Sequence, residues 1–337
     1  MTTVRINQEE PFKAELNSTL LDATNAAGIQ LPYSCKTGRC GTCKCRVLSG
    51  STLAIAPESG LTANEKTNGW ILSCVRTAVT DLEVAAETLD NICLPKPKTL
   101  PCKIATLARV APDVLQVGLR LPPTIAFDFL PGQYIELIGR DGLRRSFSLA
   151  NAATKGGTLE LHIRAIVGGA MSRYLFENAQ VGDLLRLRGP LGTFFLRDIA
   201  GLDLVLLATG TGIAPVKAML GALPGLPFEE LPHTVTVLWG GRTPVDLYSD
   251  IANLPSDHTF IPVLSRAGDD WTGARGHVQD VLLARHPDLS NAAVYACGSN
   301  AMIHSARAAF VQAGLAEHRF HSDAFLCSAP PSTTTES

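Results

Sequence analysis

Hydrophobic and polar positions alternate with a period of two through the middle of the chain. Segments such as TLELHIRAI and DLLRLRG lie between Cys102 and Ile199 and are bounded by PG, DG, GG and GP turns. Short alternating segments separated by frequent turns are typical of antiparallel strands that close into a barrel. We therefore predict an antiparallel β-barrel over residues 102–199.

After residue 200 the pattern changes to apolar strands separated by helical stretches. LDLVLLATG, HTVTVLWG, TFIPVL and NAAVYACG are apolar runs, and AMIHSARAAFVQAG is helical. Strands that are apolar on both faces and alternate with helices predict a parallel α/β sheet. We assign residues 200–328 to this α/β domain and predict a disordered tail over 329–337.

The pattern of the first 92 residues predicts a small α+β domain. VRIN, FKAEL, CRVLSG and LEVAA have strand patterns, and LLDATNAAG is helical. Three prolines in CLPKPKTLP favour extended backbone, so residues 93–101 are predicted to be a linker. The predicted fold is therefore multidomain, with α+β, antiparallel barrel and α/β domains in that order.

Composition narrows the class of function. A formal net charge of -2 with 18% charged residues is not typical of a nucleic-acid-binding protein. The longest apolar stretch, Leu202 to Val216, is broken by glycine and proline, so no membrane span is expected. No secretory signature is recognisable at the start, and four of the nine cysteines lie between Cys35 and Cys45. Together these features favour a cytoplasmic protein whose cysteines bind metal.

The strongest motif is a set of four cysteines with the ligand spacing of plant-type [2Fe-2S] proteins. Cys35, Cys40 and Cys43 form a Cys-x4-Cys-x2-Cys loop, and Cys74 follows. A structural zinc site is the alternative, but zinc sites usually show two separated Cys-x2-Cys pairs, and only one such pair occurs here.

Glycines within the loop support the cluster interpretation. Gly38 and Gly41 would let the backbone approach the cluster sulfides and donate N–H groups to them. Cys45 is interpreted as a small buried hydrophobic residue rather than a ligand. The segment YSCKTGRCGTCKCRVLSG resembles a plant-type ferredoxin, which implies a β-grasp fold for residues 1–92.

The barrel carries an arginine–serine strand and a glycine turn. Arg145 to Ser148 follow the strand PGQYIELI, Arg164 lies on LHIRA, and Gly168 to Ser172 precede a helical stretch. A glycine turn before a helix N-terminus offers unpaired N–H groups to an anion. With these residues the barrel resembles the flavin domain of the ferredoxin–NADP reductase family.

That resemblance implies a role for each residue of the predicted flavin site. It assigns Arg145 to the flavin pyrophosphate, Phe147 to stacking on the isoalloxazine or on the adenine side of the flavin, and Ser148 to hydrogen bonding near the reactive flavin nitrogen. Arg164 joins the cofactor-binding set. Family members bind FAD or FMN, and the separate turn with Gly169 and Ser172 fits the pyrophosphate of FAD, which is therefore the predicted flavin.

The α/β domain begins with a strand, a glycine turn and a helix in LDLVLLATGTGIAPVKAML. Gly210 and Gly212, on either side of Thr211, would let a pyrophosphate approach backbone N–H groups, and Pro215 suits a first helical turn. The third glycine of the dinucleotide fingerprint is absent. The Gly-x-Gly-x-x-Pro form is nevertheless usual in the family that the barrel resembles.

The resemblance extends to the end of the chain. It assigns Cys297 and Gly298, which end a strand and open a helix, to positioning the nicotinamide against the flavin. It implies that Asp323 tunes proton or hydride transfer and that Phe325 covers the flavin ring, although Asp and Phe replace the more usual Glu and Tyr. With Ser148, these residues form the predicted catalytic set: Ser148, Cys297, Asp323 and Phe325.

The sequence carries signals for both nicotinamide dinucleotides. Ser265 and Arg266 resemble a pair that binds the extra phosphate of NADPH, and Tyr248 falls where an adenine-stacking tyrosine would lie. Reductases with an attached plant-type cluster mostly use NADH, however, and no lysine accompanies Tyr248. NADH is the predicted donor, with NADPH as the alternative.

The order of cluster, flavin and nicotinamide domains resembles the reductase components of multicomponent oxygenases. A closer resemblance, to the reductases of CDP-3,6-dideoxyhexose synthesis, is carried by segments 121–124, 131–137, 146–151, 192–195, 248–253 and 271–273. This similarity implies a monomeric reductase that passes electrons from NAD(P)H through FAD and the cluster to a pyridoxamine-dependent dehydratase. An oxygenase partner is the first alternative. A non-catalytic electron carrier and a free flavin reductase are the others.

Overall fold

The structure is a computed structural model, and tertiary contacts divide it into two compact units. One unit comprises Met1–Leu94 with Gly192–Phe194, and the other comprises Pro95–Leu191 with Phe195–Ser337. The tail predicted over 329–337 lies outside the described residues. The residues described are 1–89, 92–139, 141–153, 157–253 and 257–325.

The first unit contains seven short strands and two helices. They are β1 (Thr2–Ile6), β2 (Phe12–Ala14), α1 (Leu20–Ala26), β3 (Lys44–Ser49), β4 (Thr52–Ala54), α2 (Ala63–Thr67), β5 (Trp70–Leu72), β6 (Arg76–Ala78) and β7 (Leu82–Ala86). Five strands form a mixed sheet in the order β2-β1-β7-β3-β5, and β4 pairs separately with β6.

Local sequence explains the main helix of this unit. The Thr19 hydroxyl accepts a hydrogen bond from the Asp22 N–H at 3.0 Å and so caps α1 at its N-terminus. Leu20 and Leu21 of the helix and alternate residues of β1 and β7 are buried in one core. A mixed sheet with one principal helix is the predicted α+β fold.

The barrel belongs to the second unit. Its elements are β8 (Lys98–Ala111), β9 (Val114–Arg120), β10 (Tyr134–Ile138), β11 (Arg144–Ser148), β12 (Leu159–Arg164), α3 (Ala170–Arg173) and β13 (Leu184–Leu191). Strands pair in the order β11-β10-β13-β8-β9-β12, and a bridge between Leu149 and Leu161 joins the two ends. The antiparallel barrel is therefore closed, and its alternate side chains fill the core.

The predicted linker is too long at its C-terminal end. Residues 98–101 are paired with β13 as the start of β8, with Lys98 opposite Gly189 and Pro101 opposite Arg186. Pro101 is tolerated in this segment because β9 pairs with β8 only from Lys103 onward, so residues 98–101 are paired on one side only, like an edge strand. The helical stretch predicted after the glycine turn begins as the four-residue helix α3 and continues as a π turn over Tyr174–Asn178.

The remainder of the second unit is a six-stranded parallel sheet. Its elements are β14 (Asp203–Thr209), α4 (Ile213–Ala222), β15 (Thr234–Gly241), β16 (Thr259–Leu264), β17 (Ala274–Arg275), α5 (Val278–Arg285), β18 (Ala292–Gly298), α6 (Asn300–Gln312) and β19 (Phe320–Ala324). The strands lie in the order β17-β16-β15-β14-β18-β19. The chain therefore adds strands on one side of β14 and then on the other, so the order of connection switches between β14 and β18. Ligands of open α/β sheets bind at the carboxyl edge beside such a switch.

The α/β fold thus agrees with the prediction, and it adds the two edge strands β17 and β19. No helix within the described ranges has the length and apolar character needed to cross a membrane.

Candidate functional site

The four predicted cluster cysteines lie in the loop before β3 and in the single turn Ser73–Val75. Cys40, Cys43 and Cys74 are buried, and Cys35 is half-buried. The thiols of Cys35 and Cys40 lie close enough to interact, as do those of Cys43 and Cys74. Two pairs of sulfurs fit a two-iron cluster with four cysteine ligands. Within the described residues, no three His, Cys, Asp or Glu side chains are grouped to hold a single metal ion.

Glycine is required at two positions of this loop. Gly38 and Gly41 have φ values of +73° and +79°, a conformation that other residues rarely adopt. A Cβ on Gly38 would lie 2.4 Å from the Pro57 carbonyl oxygen, and one on Gly41 would lie 2.9 Å from the Gly60 carbonyl oxygen. The loop can therefore lie against residues 57–60 only because these two side chains are absent.

Hydrogen bonding favours the ligating form of the first cysteine. The Thr37 N–H donates to Cys35 Sγ at 3.4 Å. A hydrogen bond from Cys40, assisted by this N–H, lowers the pKa of the Cys35 thiol although burial opposes the shift, and the same interaction together with burial raises the pKa of the Cys40 thiol. Cys45 is different: it lies on β3, is 1% exposed, and burial raises the pKa of its thiol to about 12.

The predicted flavin residues lie on strand β11. Arg145 and Phe147 are on one face, and Ser148 is on the other face with 5% exposure. Phe147 packs against the edge of the barrel core, and Arg145 donates to the Arg144 carbonyl oxygen at 2.7 Å. An arginine and an aromatic ring on one face can bind neighbouring parts of one dinucleotide, so this strand fits FAD.

The glycine turn before α3 is formed as expected. The Ser172 hydroxyl accepts a hydrogen bond from the Ile166 N–H at 2.9 Å, and the Gly169 N–H donates to the Ile166 carbonyl oxygen at 2.9 Å. No atom lies within 4 Å of the position that a Cβ on Gly168 would take, so the backbone of the turn is accessible. Binding of the FAD pyrophosphate by Gly169 and Ser172 remains a prediction.

Two adjacent strands meet closely at the nicotinamide edge. The turn Gly210–Gly212 connects β14 to α4, and Pro215 is buried in the first turn of that helix. A Cβ on Gly212 would lie 2.3 Å from the Cys297 carbonyl oxygen. A Cβ on Gly298, where φ is +134°, would lie 2.2 Å from Thr209 Oγ1. Only glycine permits this approach, which leaves backbone and not side chains at the edge.

The predicted catalytic residues converge at the same edge. The Ser148 hydroxyl donates to Asp323 Oδ2 at 3.5 Å, and Asp323 on β19 is in register with Cys297 on β18. Burial and the Asp323 charge raise the pKa of the Cys297 thiol well above its usual value. The Phe325 N–H donates to the Gly298 carbonyl oxygen at 2.8 Å, which fixes the chain after β19.

Arg164 is grouped with the glycine turn of the α/β domain. Its Nη2 lies 3.2 Å from Asp246 Oδ1, and its Nε lies 3.4 Å from Asp113 Oδ2. Its guanidinium carbon is 3.5 Å from the position of a Cβ on Gly210. Sequence reasoning missed both acidic partners. Asp246 could have been found, because an acidic residue after the second strand is a signal of dinucleotide-binding sheets.

Ser265 and Arg266 lie at the carboxyl end of β16, and both are exposed. The Ser265 hydroxyl donates to the Gly241 carbonyl oxygen at 3.3 Å, and the Arg266 N–H donates to the Arg242 carbonyl oxygen at 2.9 Å. The two residues therefore adjoin the end of β15, on the side of the sheet edge where an adenosine would be expected.

Tyr248 belongs to a polar network that sequence reasoning did not identify. Its ring packs edge-on against Trp239 and His162, and its hydroxyl is 3.3 Å from His162 Nδ1. His162 Nε2 and Lys217 Nζ lie 2.7 Å and 2.6 Å from Glu160 Oε1. The network connects β12 to helix α4. Adenine stacking by Tyr248 stays a prediction.

Three family models match consecutive parts of the chain. They are the 2Fe-2S iron-sulfur cluster binding domain over residues 4–79, the oxidoreductase FAD-binding domain over 101–196 and the oxidoreductase NAD-binding domain over 206–308. These matches agree with the cofactors expected for the cysteine loop, the barrel and the parallel sheet.

Curated relatives match almost the whole chain and almost the whole of their own length. CDP-6-deoxy-L-threo-D-glycero-4-hexulose-3-dehydrase reductase of Yersinia pseudotuberculosis is 42% identical over 94% of this chain and 95% of its own. The chain belongs to the family of NAD(P)H-dependent [2Fe-2S] flavoprotein reductases. Terephthalate 1,2-dioxygenase reductase component 2 of Comamonas sp is 31% identical over 93% of this chain and 94% of its own.

Solved structures of reductases support the same family. The Amycolatopsis cytochrome P450 reductase GcoB has a TM-score of 0.74 and 32% identity, covering 96% of this chain and 99% of its own. The ferredoxin reductase of carbazole 1,9a-dioxygenase has a TM-score of 0.70 and 26% identity, covering 96% and 98%. Reductases of this family take electrons from NAD(P)H to FAD, to the cluster and then to a partner enzyme.

Proposed function

We propose that this reductase delivers electrons to the pyridoxamine-dependent dehydratase of CDP-3,6-dideoxyhexose synthesis. The observation that carries the proposal is the 42% identity over 94% of the chain to a reductase named for a CDP-hexulose dehydrase. The named oxygenase reductase component of Comamonas sp is less similar, at 31% identity.

Each cofactor supplies one part of the redox chemistry when bound: a hydride from the nicotinamide, conversion to single electrons by the flavin, and one-electron exit by the cluster. The protein itself positions the cofactors and places polar and charged groups beside them. Gly210–Gly212 and Gly298 let the dinucleotide lie against backbone N–H groups. The Ser148 hydroxyl, which donates to Asp323, holds a proton between the flavin strand and a buried carboxylate.

The nicotinamide donor in this proposal is NADH. Asp246 Oδ2 accepts hydrogen bonds from the N–H groups of Arg242 and Thr243 at 2.9 Å and 3.1 Å, at the end of β15. A carboxylate at this position can accept a hydrogen bond from the free 2′-hydroxyl of NADH and disfavours the 2′-phosphate of NADPH, although the Arg164 ion pair at 3.2 Å offsets part of its charge. Arg266 is the opposing signal. The ratio of kcat/KM for NADH to that for NADPH, expected to exceed one, measures which charge dominates.

We also propose that the protein is a monomer, and that it is cytoplasmic because cysteine thiols stay reduced in that compartment. Sedimentation at micromolar concentration should give a mass near the 35.8 kDa of one chain. A dimer that persists on dilution would contradict this part.

A direct comparison of acceptors tests the choice of partner. The reductase is mixed with NADH and either a CDP-hexulose dehydrase with its substrate or the oxygenase component of terephthalate dioxygenase with terephthalate. We expect product from the dehydrase at a rate at least about tenfold higher, since such a ratio needs about 1.4 kcal/mol of preference. Equal rates, or a faster oxygenase, would favour the second candidate function, an oxygenase reductase component.

A further inference from the structure

A partly buried ion pair, whose carboxylate is buried and whose arginine is partly exposed, lies beside the fourth cluster cysteine. Arg76 Nη2 donates to Glu58 Oε2 at 2.6 Å, and the Glu58 side chain is 5% exposed. The Leu72 N–H donates to the other carboxylate oxygen, Oε1, at 2.8 Å. Leu72 and Arg76 lie on either side of Cys74. One carboxylate therefore fixes both ends of the short segment that carries this ligand.

The same glutamate lies in a turn that contacts the loop of the other three cysteines. The Gly60 N–H donates to the Gly38 carbonyl oxygen at 2.9 Å. A Cβ on Gly60 would lie 2.7 Å from the Gly41 backbone nitrogen, so the two backbones are in close contact. Residues 57–60 thus lie against the loop, while Glu58 contacts the Cys74 segment. The two parts of the ligand set are connected through this residue.

The two charges of the pair have opposite effects on reduction of the cluster. Reduction adds an electron to the cluster, so a nearby cation favours the reduced form and a nearby anion opposes it. Arg76 follows the Cys74 ligand by two positions, and Glu58 neutralises it at hydrogen-bond distance. Buried charges are screened little by solvent, and groups around metal ligands are known to tune the metal centre.

We propose that Glu58 is a positioning residue of the cluster site, and that its ion pair with Arg76 sets the reduction potential of the cluster. The carboxylate holds the Cys74 segment against the cysteine loop and offsets the positive charge of Arg76. The proposal depends on the cluster domain and not on the identity of the electron acceptor, so it is tested separately from the proposed function.

Glu58→Gln tests the charge while keeping an acceptor for the Leu72 N–H. We expect full iron content and a cluster midpoint potential above that of the wild type, because Arg76 is no longer neutralised. Glu58→Gln with Arg76→Gln removes both charges, so its potential should return to the wild-type value. Glu15→Gln, which removes a negative charge from an exposed position of the same unit, is the matched control and should leave the potential unchanged.

The positioning role has its own measurement. Glu58→Ala removes both the ion pair and the acceptor for the Leu72 N–H. Groups that orient metal ligands typically contribute about 10- to 100-fold to metal affinity. We expect iron to be released to a chelator faster by about that factor. Wild-type release from Glu58→Ala would overturn the positioning role.

A pair that only stabilises the fold predicts different results from these variants. An unchanged potential in Glu58→Gln, or a double variant whose potential stays as high as that of Glu58→Gln, would overturn the charge assignment. If Glu58→Gln does not retain iron, the double variant decides. Iron retained in the double variant supports the proposal, because the unpaired charge has been removed, and iron lost there overturns it.

Discussion

The cysteine loop and the nicotinamide edge use glycine for opposite purposes. In the loop, Gly38 and Gly41 have positive φ values and let a short segment place three ligands around one position. At the edge, Gly212 and Gly298 let two separate strands approach within a distance that no side chain would allow. The loop is a local structure, whereas the edge exists only when β14, β18 and β19 are assembled.

This difference predicts how substitutions in each site would impair its function. The loop depends on the identity of its ligands, so loss of one thiolate removes the cofactor and leaves the rest of the fold. The edge depends on backbone contact, so one added methyl group alters its geometry while its cofactors remain bound. Substitutions in the two regions should therefore give different patterns of lost function.

The largest effect is expected from Cys74→Ser. Loss of one of four thiolates should remove the cluster and abolish transfer to the natural acceptor, while FAD stays bound and reducible by NADH. Ferricyanide, which can take electrons from flavin directly, should still be reduced. Cys45→Ser, a change at a buried cysteine of the same domain, is the control and should keep the cluster spectrum. Wild-type transfer to the natural acceptor by Cys74→Ser would mean that electrons leave from the flavin.

Gly298→Ala should impair hydride transfer without loss of either bound cofactor. The new Cβ would lie 2.2 Å from Thr209 Oγ1, so the ends of β14 and β18 must separate. Misplacement by about 1 Å can reduce a rate by about 100-fold, which is the fall expected in the rate of flavin reduction by NADH. Gly314→Ala is the matched control, since its φ is also positive, at +91°, but its nearest contact is 3.4 Å. Equal rates in the two variants would show that the close contact at Gly298 is unimportant.

Arg145→Ala should weaken FAD binding while leaving the cluster intact. A charge-assisted contact to the pyrophosphate contributes about 1.5–3 kcal/mol. This corresponds to about 10- to 150-fold in the dissociation constant. Titration of the apoprotein with FAD measures the change. Arg144→Ala, at the exposed neighbour, provides the control. An affinity equal to that of the wild type would assign Arg145 a structural role only.

The smallest effect concerns the polar network that connects β12 to α4. Burial alone would raise the pKa of the Glu160 carboxyl. Hydrogen bonds from His162 and Lys217 outweigh this effect and lower the pKa to about 2. A depressed pKa in the folded state stabilises the fold above the usual value of 4.5, and this contribution disappears as pH falls toward 2. Allowing for partial exposure, the contribution is about 1–3 kcal/mol.

Unfolding of the wild type and Glu160→Gln, followed by release of FAD fluorescence, checks this prediction. The difference between them in free energy of unfolding should be constant from pH 8 to pH 5 and should shrink below pH 4.5. A difference that does not change with pH would show that the carboxylate charge is unimportant there.

The same contrast explains what the sequence could predict. Cys35, Cys40 and Cys43 lie within nine residues, so their spacing, with Cys74, favoured a [2Fe-2S] cluster over zinc, and the family match agrees. The edge combines residues that are far apart in sequence, and no spacing shows that Thr209 lies against Gly298. Family resemblance identified Gly298 but could not supply its neighbours.

Tertiary contact also decided features that local pattern could not. The network of Glu160 and Lys217 joins a barrel strand to a helix 57 positions later. In the sequence, Glu160 and Lys217 are typical of exposed surface residues. The start of β8 at Lys98 was missed for a similar reason, because proline-rich sequence predicted a linker and pairing with β13 determined a strand.

The most direct test of the central claim is the order in which the two redox centres are reduced. The enzyme is mixed rapidly with NADH without oxygen, with flavin followed by absorbance and the cluster by freeze-quenched paramagnetic resonance. We expect the flavin to be reduced first and the cluster signal to follow. Cys74→Ser should show the first phase alone. Cluster reduction that precedes flavin reduction, or that proceeds at the wild-type rate in protein stripped of FAD, would contradict the account.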